Sequence, residues 1–184
     1  MNKVNNFFVK EPRWRDANSW FLGSVPAPIL DWLLEPCSLT QRLKTTFLAP
    51  FGVNVLAQAW AKPSLTEVAC LKQAPTRSAL IREVFLTIGE QPAVFARSTL
   101  PREAAFQLQG LSRLGSKPLG EVIFAYPDLQ RVRLEFTKIS LNQLSPLIQQ
   151  KLSGQRYIWG RRNSYQIAGR VFLVSEFFLP DLFE

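Results

Sequence analysis

Residues 171–179 read VFLVSEFFL, and apolar side chains occupy both faces of that run. In an extended chain Val171, Leu173, Phe177 and Leu179 point one way, and Phe172, Val174 and Phe178 the other. A strand with no polar face needs cover on both sides, so this segment belongs in the middle of a sheet. Residues 156–167 form a second strand candidate, and Ala168-Gly169-Arg170 supplies a tight turn between the two. The chain is therefore expected to be built around this hairpin.

The other segments fit that frame. Residues 79–88 and 93–100 alternate as strands around Gly89-Glu90-Gln91-Pro92, and 53–61 and 130–138 are further strand candidates. Pro26 and Pro28 precede a short helix, Ile29 to Leu34, which Pro36 ends. Ser38 followed by Gln41 reads as a capping box opening a helix to about Phe47. Residues 64–76 are ambiguous, although Ser64 and Glu67 have the spacing of a cap. Pro101 starts a helix to about Arg113, Pro118 a short one from Leu119 to Phe124, and Ser145-Pro146 one that Gly154 ends. Hairpins with helices between them predict a single α+β domain with a mainly antiparallel sheet, over residues 26–184. Residues 1–25 read as an irregular N-terminal arm with aromatic anchors.

Three charges interrupt the apolar strand faces. Arg82 shares a face with Leu80, Val84, Leu86 and Ile88, and Glu176 shares one with Phe172, Val174 and Phe178. Arg161 lies among Tyr157, Trp159 and Tyr165, while Arg162 points the other way; Arg97, between Phe95 and Thr99, is a similar case. An unpaired buried charge is costly. Periodicity leaves two readings open. One is a buried Arg82–Glu176 salt bridge, or a strand end reaching solvent. The other is a pocket in which an arginine holds a carboxylate and a glutamate handles a hydroxyl. For Arg161 and Arg97 the plain alternatives are ion pairing and cation–π packing.

Composition narrows the chemistry. The 184 residues include no histidine, which excludes Ser-His-Asp triads and histidine metal sites. Cys37 and Cys70 are far apart and make no C-x-x-C pair, so neither a zinc site nor a disulfide framework is expected. Lys and Arg outnumber Asp and Glu by 22 to 14, a net charge of +8 that favours an anionic partner. The basic residues are scattered rather than clustered, which argues against nucleic acid. No apolar run approaches the roughly 20 residues of a membrane span, and Phe7-Phe8-Val9 is too short for a signal peptide. A cytoplasmic protein without stable membrane insertion is the expectation.

At this point a family is recognisable. Ile81-Arg82-Glu83-Val84-Phe85-Leu86, Ala96-Arg97-Ser98-Thr99-Leu100-Pro101, and Leu114-Gly115-Ser116-Lys117-Pro118-Leu119-Gly120 resemble segments of bacterial chorismate lyases. So do Trp159-Gly160-Arg161-Arg162-Asn163-Ser164 and Ser175-Glu176-Phe177-Phe178-Leu179-Pro180, and so does Asp31-Trp32-Leu33-Leu34 followed by Ser38-Leu39-Thr40-Gln41-Arg42. The motifs keep the family's order over roughly residues 29–184. The resemblance implies helical flaps over an enclosed site and conversion of chorismate to 4-hydroxybenzoate and pyruvate, the entry step of ubiquinone synthesis. It implies no metal or organic cofactor. It places the ligand-contacting arginine on Arg82 and the glutamate on Glu176, both catalytic, with Leu39 and Leu119 contacting substrate largely through the backbone. Arg97 and Arg161 are weaker candidates for a second carboxylate.

The sequence departs from the family in three places: Leu39 where methionine is frequent, a longer segment at 136–155, and residues 1–25, which match nothing. The rival expectation is a non-catalytic small-molecule-sensing domain of the same fold, known from bacterial transcription regulators. A monomer is expected.

Overall fold

The structure, a computed structural model, describes residues 7–16, 23–107, 114–149, 152 and 156–183. Among the described residues seven strands form one sheet: β1 (Arg15–Asp16), β2 (Phe51–Ala61), β3 (Ala79–Ile88), β4 (Gln91–Pro101), β5 (Gln130–Ser140), β6 (Tyr157–Ile167) and β7 (Arg170–Phe178). Their order is β1-β5-β6-β7-β4-β3-β2, and every neighbouring pair is antiparallel. The hairpin with two apolar faces is central, as its pattern requires. Its turn places Ala168 and Gly169 at φ values of +47° and +75°, the left-handed region that a two-residue hairpin loop uses.

Six α-helices among the described residues lie on the sheet: α1 (Ala27–Leu33), α2 (Leu39–Thr46), α3 (Leu65–Leu71), α4 (Arg102–Gln107), α5 (Leu119–Ile123) and α6 (Pro146–Gln149). The ambiguous 64–76 segment resolves into α3 because Ser64 and Glu67 complete a reciprocal capping box. At α2 only half of the expected box forms, with Ser38 Oγ accepting from the Gln41 N–H. The later parts of the helices expected to Arg113 and Gly154 fall on residues 108–113, 150–151 and 153–155, outside the described residues.

Both sheet faces are buried, by different elements. On one, α1 and α2 pack over Val84, Val94, Phe136 and Phe178, while Ala104 and Ala105 of α4 and Ile123 of α5 pack over Leu80, Leu100, Phe172 and Val174. On the other, the N-terminal arm brings Phe7 onto Phe95 and Phe177, joined by Ile139, Leu144 and Ile148. The arm anticipated from its aromatics is thus part of the core, and Arg15–Asp16 adds a short edge strand to β5. Gly160 sits opposite Phe177, where a Cβ would lie 2.6 Å from the phenyl ring. That close approach explains a glycine inside a central strand.

Candidate functional site

The register sorts the buried charges by face. Phe136, Arg161, Glu176, Ala96 and Val84 make one cross-strand row on the α1/α2 side; Glu135, Arg162, Ser175, Arg97 and Glu83 make the adjacent row on the opposite side. A pocket with about 540 Å³ of free space, its mouth included, opens at the seam between the two hydrophobic clusters of the first face. Arg82, Glu176, Arg161, Leu39 and Leu119 all line it.

Arg82 enters from β3 and is 4 % exposed. The expected alternative of an Arg82–Glu176 salt bridge does not form. Among the described residues Arg82 pairs with no acid; its Nη2 donates to the carbonyls of Gly115 (2.9 Å) and Lys117 (3.2 Å), in the loop before α5. Its Nε is buried with no hydrogen-bond partner. Burial pulls the guanidinium below its ordinary value, yet arginine stays protonated in proteins. The result is a desolvated cation with an open edge.

Glu176 enters from β7. Its Oε2 accepts from Arg161 Nε (2.6 Å) and Asn163 Nδ2 (3.2 Å), and Oε1 has no partner among the described residues. Arg161 is committed elsewhere as well: its Nη1 donates to the carbonyls of Trp32, Leu33 and Glu35 at 2.9–3.3 Å. A cation there meets the negative end of α1 and joins the Glu35 N–H (3.4 Å) in satisfying the Trp32 carbonyl. Arg161 therefore ties Glu176 to the α1 flap. Arg42 locks that flap to α2, pairing with Asp31 and Glu35 while stacking 4.1 Å from the Trp32 ring centroid.

Leu39 and Leu119 are the first residues of α2 and α5, where backbone N–H groups lack intrahelical acceptors. The two helix starts abut: a Cβ on Gly120 would lie 2.9 Å from Thr40 Oγ1 and 3.1 Å from Ser38 Oγ. A Lys44–Glu121 pair holds the same two helices together. Tyr165 closes one wall. Burial, aided by the Glu176 charge, raises its phenol above 10 against the pull of Arg131 and Arg161, so it is neutral near pH 7.

Arg97 is not brought to this pocket. It lies on the opposite face, bonded through Nε and Nη2 to Glu67 (2.9 and 3.0 Å) and through Nη1 to Glu83 (2.6 Å). Adjacent residues of a strand face opposite ways, and Ala96 takes the pocket side. Arg162 likewise pairs with Glu135 at 2.8 Å and stacks 4.6 Å from the Trp14 ring centroid. Both of these arginines follow the plain structural reading.

Sequence reasoning did not single out Asn163 or Arg131. The unmet hydrogen-bonding capacity locates them. Of five buried side-chain polar atoms without partners among the described residues, three belong to this region: Arg82 Nε, Arg131 Nε and Asn163 Oδ1. Such atoms are rare in folded proteins: Arg82 lines the pocket, while Asn163 bonds the pocket-lining Glu176 and Arg131 lies beside the pocket-lining Tyr165. The arrangement suits a small, largely apolar molecule with an anionic end at Arg82 and a hydroxyl end at Glu176.

Comparison with known proteins agrees in two ways. A family profile described as Chorismate lyase matches residues 9–184. The "Probable chorismate pyruvate-lyase" of Methylococcus capsulatus is 40 % identical over 153 residues, covering 81 % of this chain and 93 % of that protein. The protein of the same description from Halorhodospira halophila is 37 % identical, covering 91 % and 90 %. Among solved structures, the effector domain of PhnF from Mycobacterium smegmatis superposes with a TM-score of 0.57 at 16 % identity, over 79 % of this chain and 90 % of that one. The effector-binding domain of the Bacillus subtilis trehalose repressor gives 0.55 at 12 %, over 72 % and 93 %. These last two share the fold alone.

Proposed function

The chain belongs to the chorismate lyase family, and from that premise we propose that Arg82 and Glu176 are the residues with which it converts chorismate to 4-hydroxybenzoate and pyruvate. Arg82 carries this reading. A buried guanidinium without an acid partner, open toward a pocket, is complete only when a ligand carboxylate arrives. Two parallel N–H···O bonds suit the ring carboxylate. The free N–H groups at the starts of α2 and α5, by Leu39 and Leu119, would add to the same anion site.

Glu176 would then face the ring 4-hydroxyl through its open Oε1. With Oε2 held by Arg161 and Asn163, the carboxylate orients that hydroxyl as an acceptor. In the reaction the ring–oxygen bond to the enolpyruvyl group breaks and the ring loses a hydrogen, leaving an aromatic phenol and pyruvate. A hydrogen passed within the substrate needs no protein base. Positioning in a water-excluding pocket then supplies the rate.

The reading extends to a cofactor-free monomer in the cytoplasm that handles no nucleic acid and whose product enters ubiquinone synthesis. No described helix is long and apolar enough to cross a membrane. The sensing-domain alternative is not favoured, since its structural relatives are 9–16 % identical while the lyases reach 32–40 %. The test is purified protein incubated with chorismate and a chelator, with products separated chromatographically. Equimolar 4-hydroxybenzoate and pyruvate are expected. A folded protein that binds 4-hydroxybenzoate and forms neither product would refute the assignment.

A further inference from the structure

Chorismate is a dianion, and Arg82 accounts for one carboxylate. Three arginines singled out by the strand pattern are already spent: Arg161 on Glu176 and α1, Arg97 on Glu67 and Glu83, and Arg162 on Glu135. A fourth differs. Arg131 is in no ion pair among the described residues, and its Nε is buried without a partner, as that of Arg82 is, although it shares a side-chain hydrogen bond with Tyr165.

The backbone puts it on the pocket side. Strict alternation along β5 would send Arg131 the same way as Arg133 and Glu135, to the opposite face. A register shift between Arg131 and Arg133 breaks the alternation, so that Arg131 lies across from Tyr165 while Arg133 lies across from Ser164. A β-bulge re-aims a side chain in this manner. Arg131 then lies on the pocket side of the sheet, beside the pocket-lining Tyr165 rather than among the lining residues. Its Nη2 donates to the carbonyls of Glu35 (2.9 Å) and Pro36 (2.8 Å), just before the pocket-lining Cys37, and its guanidinium carbon lies 5.9 Å from the centroid of the pocket-lining Tyr165 ring.

We propose that Arg131 binds the enolpyruvyl carboxylate of the substrate, with its Nε edge as the donor, beside the Tyr165 ring. This rests on the chorismate lyase reading and goes beyond it by assigning the second anionic subsite. It accounts for how the pocket distinguishes the substrate, with two carboxylates, from the aromatic product, with one. The Arg131 charge would be left unpaired once pyruvate departs.

The test compares the two ligands in two variants. Wild-type turnover of chorismate comes first, because its absence overturns the functional reading itself. With an active wild type, R131Q is expected to raise KM for chorismate tenfold or more while Kd for 4-hydroxybenzoate stays within about twofold, the loss being that of one charge-assisted contact. An unchanged KM overturns the proposal. A parallel loss of both affinities also overturns it, since that marks Arg131 as a brace for the Glu35–Pro36 loop. Should R131Q not fold, R131K keeps the charge and a donor for those carbonyls. It should weaken chorismate several-fold and 4-hydroxybenzoate not at all, and wild-type values for both would sink the assignment.

Discussion

Arg161 and Glu176 face each other across the central β6–β7 ladder, and the 2.6 Å bond between Arg161 Nε and Glu176 Oε2 joins the pocket's carboxylate to the carbonyls ending α1. One side chain therefore fixes both a pocket group and the flap above it. Arg161→Met is expected to destabilise the fold by about 3–5 kcal/mol, because it strands a buried carboxylate and removes a donor from three carbonyls. Urea unfolding measures the loss. A variant as stable as wild type would show that the ion pair does not hold the flap.

Arg82 predicts the opposite pattern. It pairs with no acid among the described residues, so Arg82→Ala removes a desolvated charge along with only two bonds to loop carbonyls. Stability should change by no more than about 1 kcal/mol, in either direction. Affinity for 4-hydroxybenzoate should fall at least a hundredfold. Thermal unfolding reads both: saturating 4-hydroxybenzoate raises Tm of the wild type through linkage and leaves that of the variant in place. A retained ligand-induced shift would remove Arg82 from the anion site.

Glu176→Gln keeps an acceptor toward the hydroxyl and replaces the charge. Turnover is expected to drop at least tenfold with affinity for 4-hydroxybenzoate reduced only a few-fold. Single-turnover measurements separate the two. Unchanged turnover would exclude any dependence of the reaction on the carboxylate's charge.

The opposite face governs acid stability. Burial alone would raise the Glu67 carboxyl, but the Arg97 hydrogen bonds and charge, with Thr99 and the Ser64 N–H, outweigh it and hold the pKa below 4.5. The unfolded state thus binds this proton more readily than the folded state. The stabilisation is complete above pH 4.5 and is lost as pH falls through the depressed folded value. Glu67→Gln should flatten the acid limb of a stability–pH curve below that point. An acid limb of unchanged slope would place the linkage on other carboxylates.

Much of this arrangement was legible from periodicity. Two apolar faces in 171–179 placed the hairpin at the sheet centre, and alternation put Arg82, Arg161 and Glu176 on apolar faces. The resemblance supplied Leu39 and Leu119, whose implied contacts are largely through the backbone and leave no side-chain signature. What alternation could not supply was the register within the two hairpins it identified. Register decides that Glu176 meets Arg161 rather than Arg82, and that Arg97 faces Glu83 behind the pocket. The shift beside Arg131 was hidden for a related reason: a bulge reverses the faces without altering composition. The arm's aromatics announced anchoring, whereas the stacking of Phe7 on Phe95 depends on contacts far apart in sequence.

Gly120 offers a test of the pocket's geometry that touches no charge. A methyl there would crowd Thr40 Oγ1 at 2.9 Å and Ser38 Oγ at 3.1 Å, forcing apart the starts of α2 and α5. The N–H groups near Leu39 and Leu119 would no longer converge on one anion. Gly120→Ala is therefore expected to weaken 4-hydroxybenzoate about tenfold, a displacement of order 1 Å being enough to lose an aligned hydrogen bond. Overpacking should cost about 1–3 kcal/mol of stability. Adding Thr40→Ala removes the nearer obstacle and should restore most of the affinity, as isothermal titration of both variants would reveal. If the double variant binds no better than the single one, the convergence of the two helix starts does not set the ligand's position, and Arg82 alone defines the anion site.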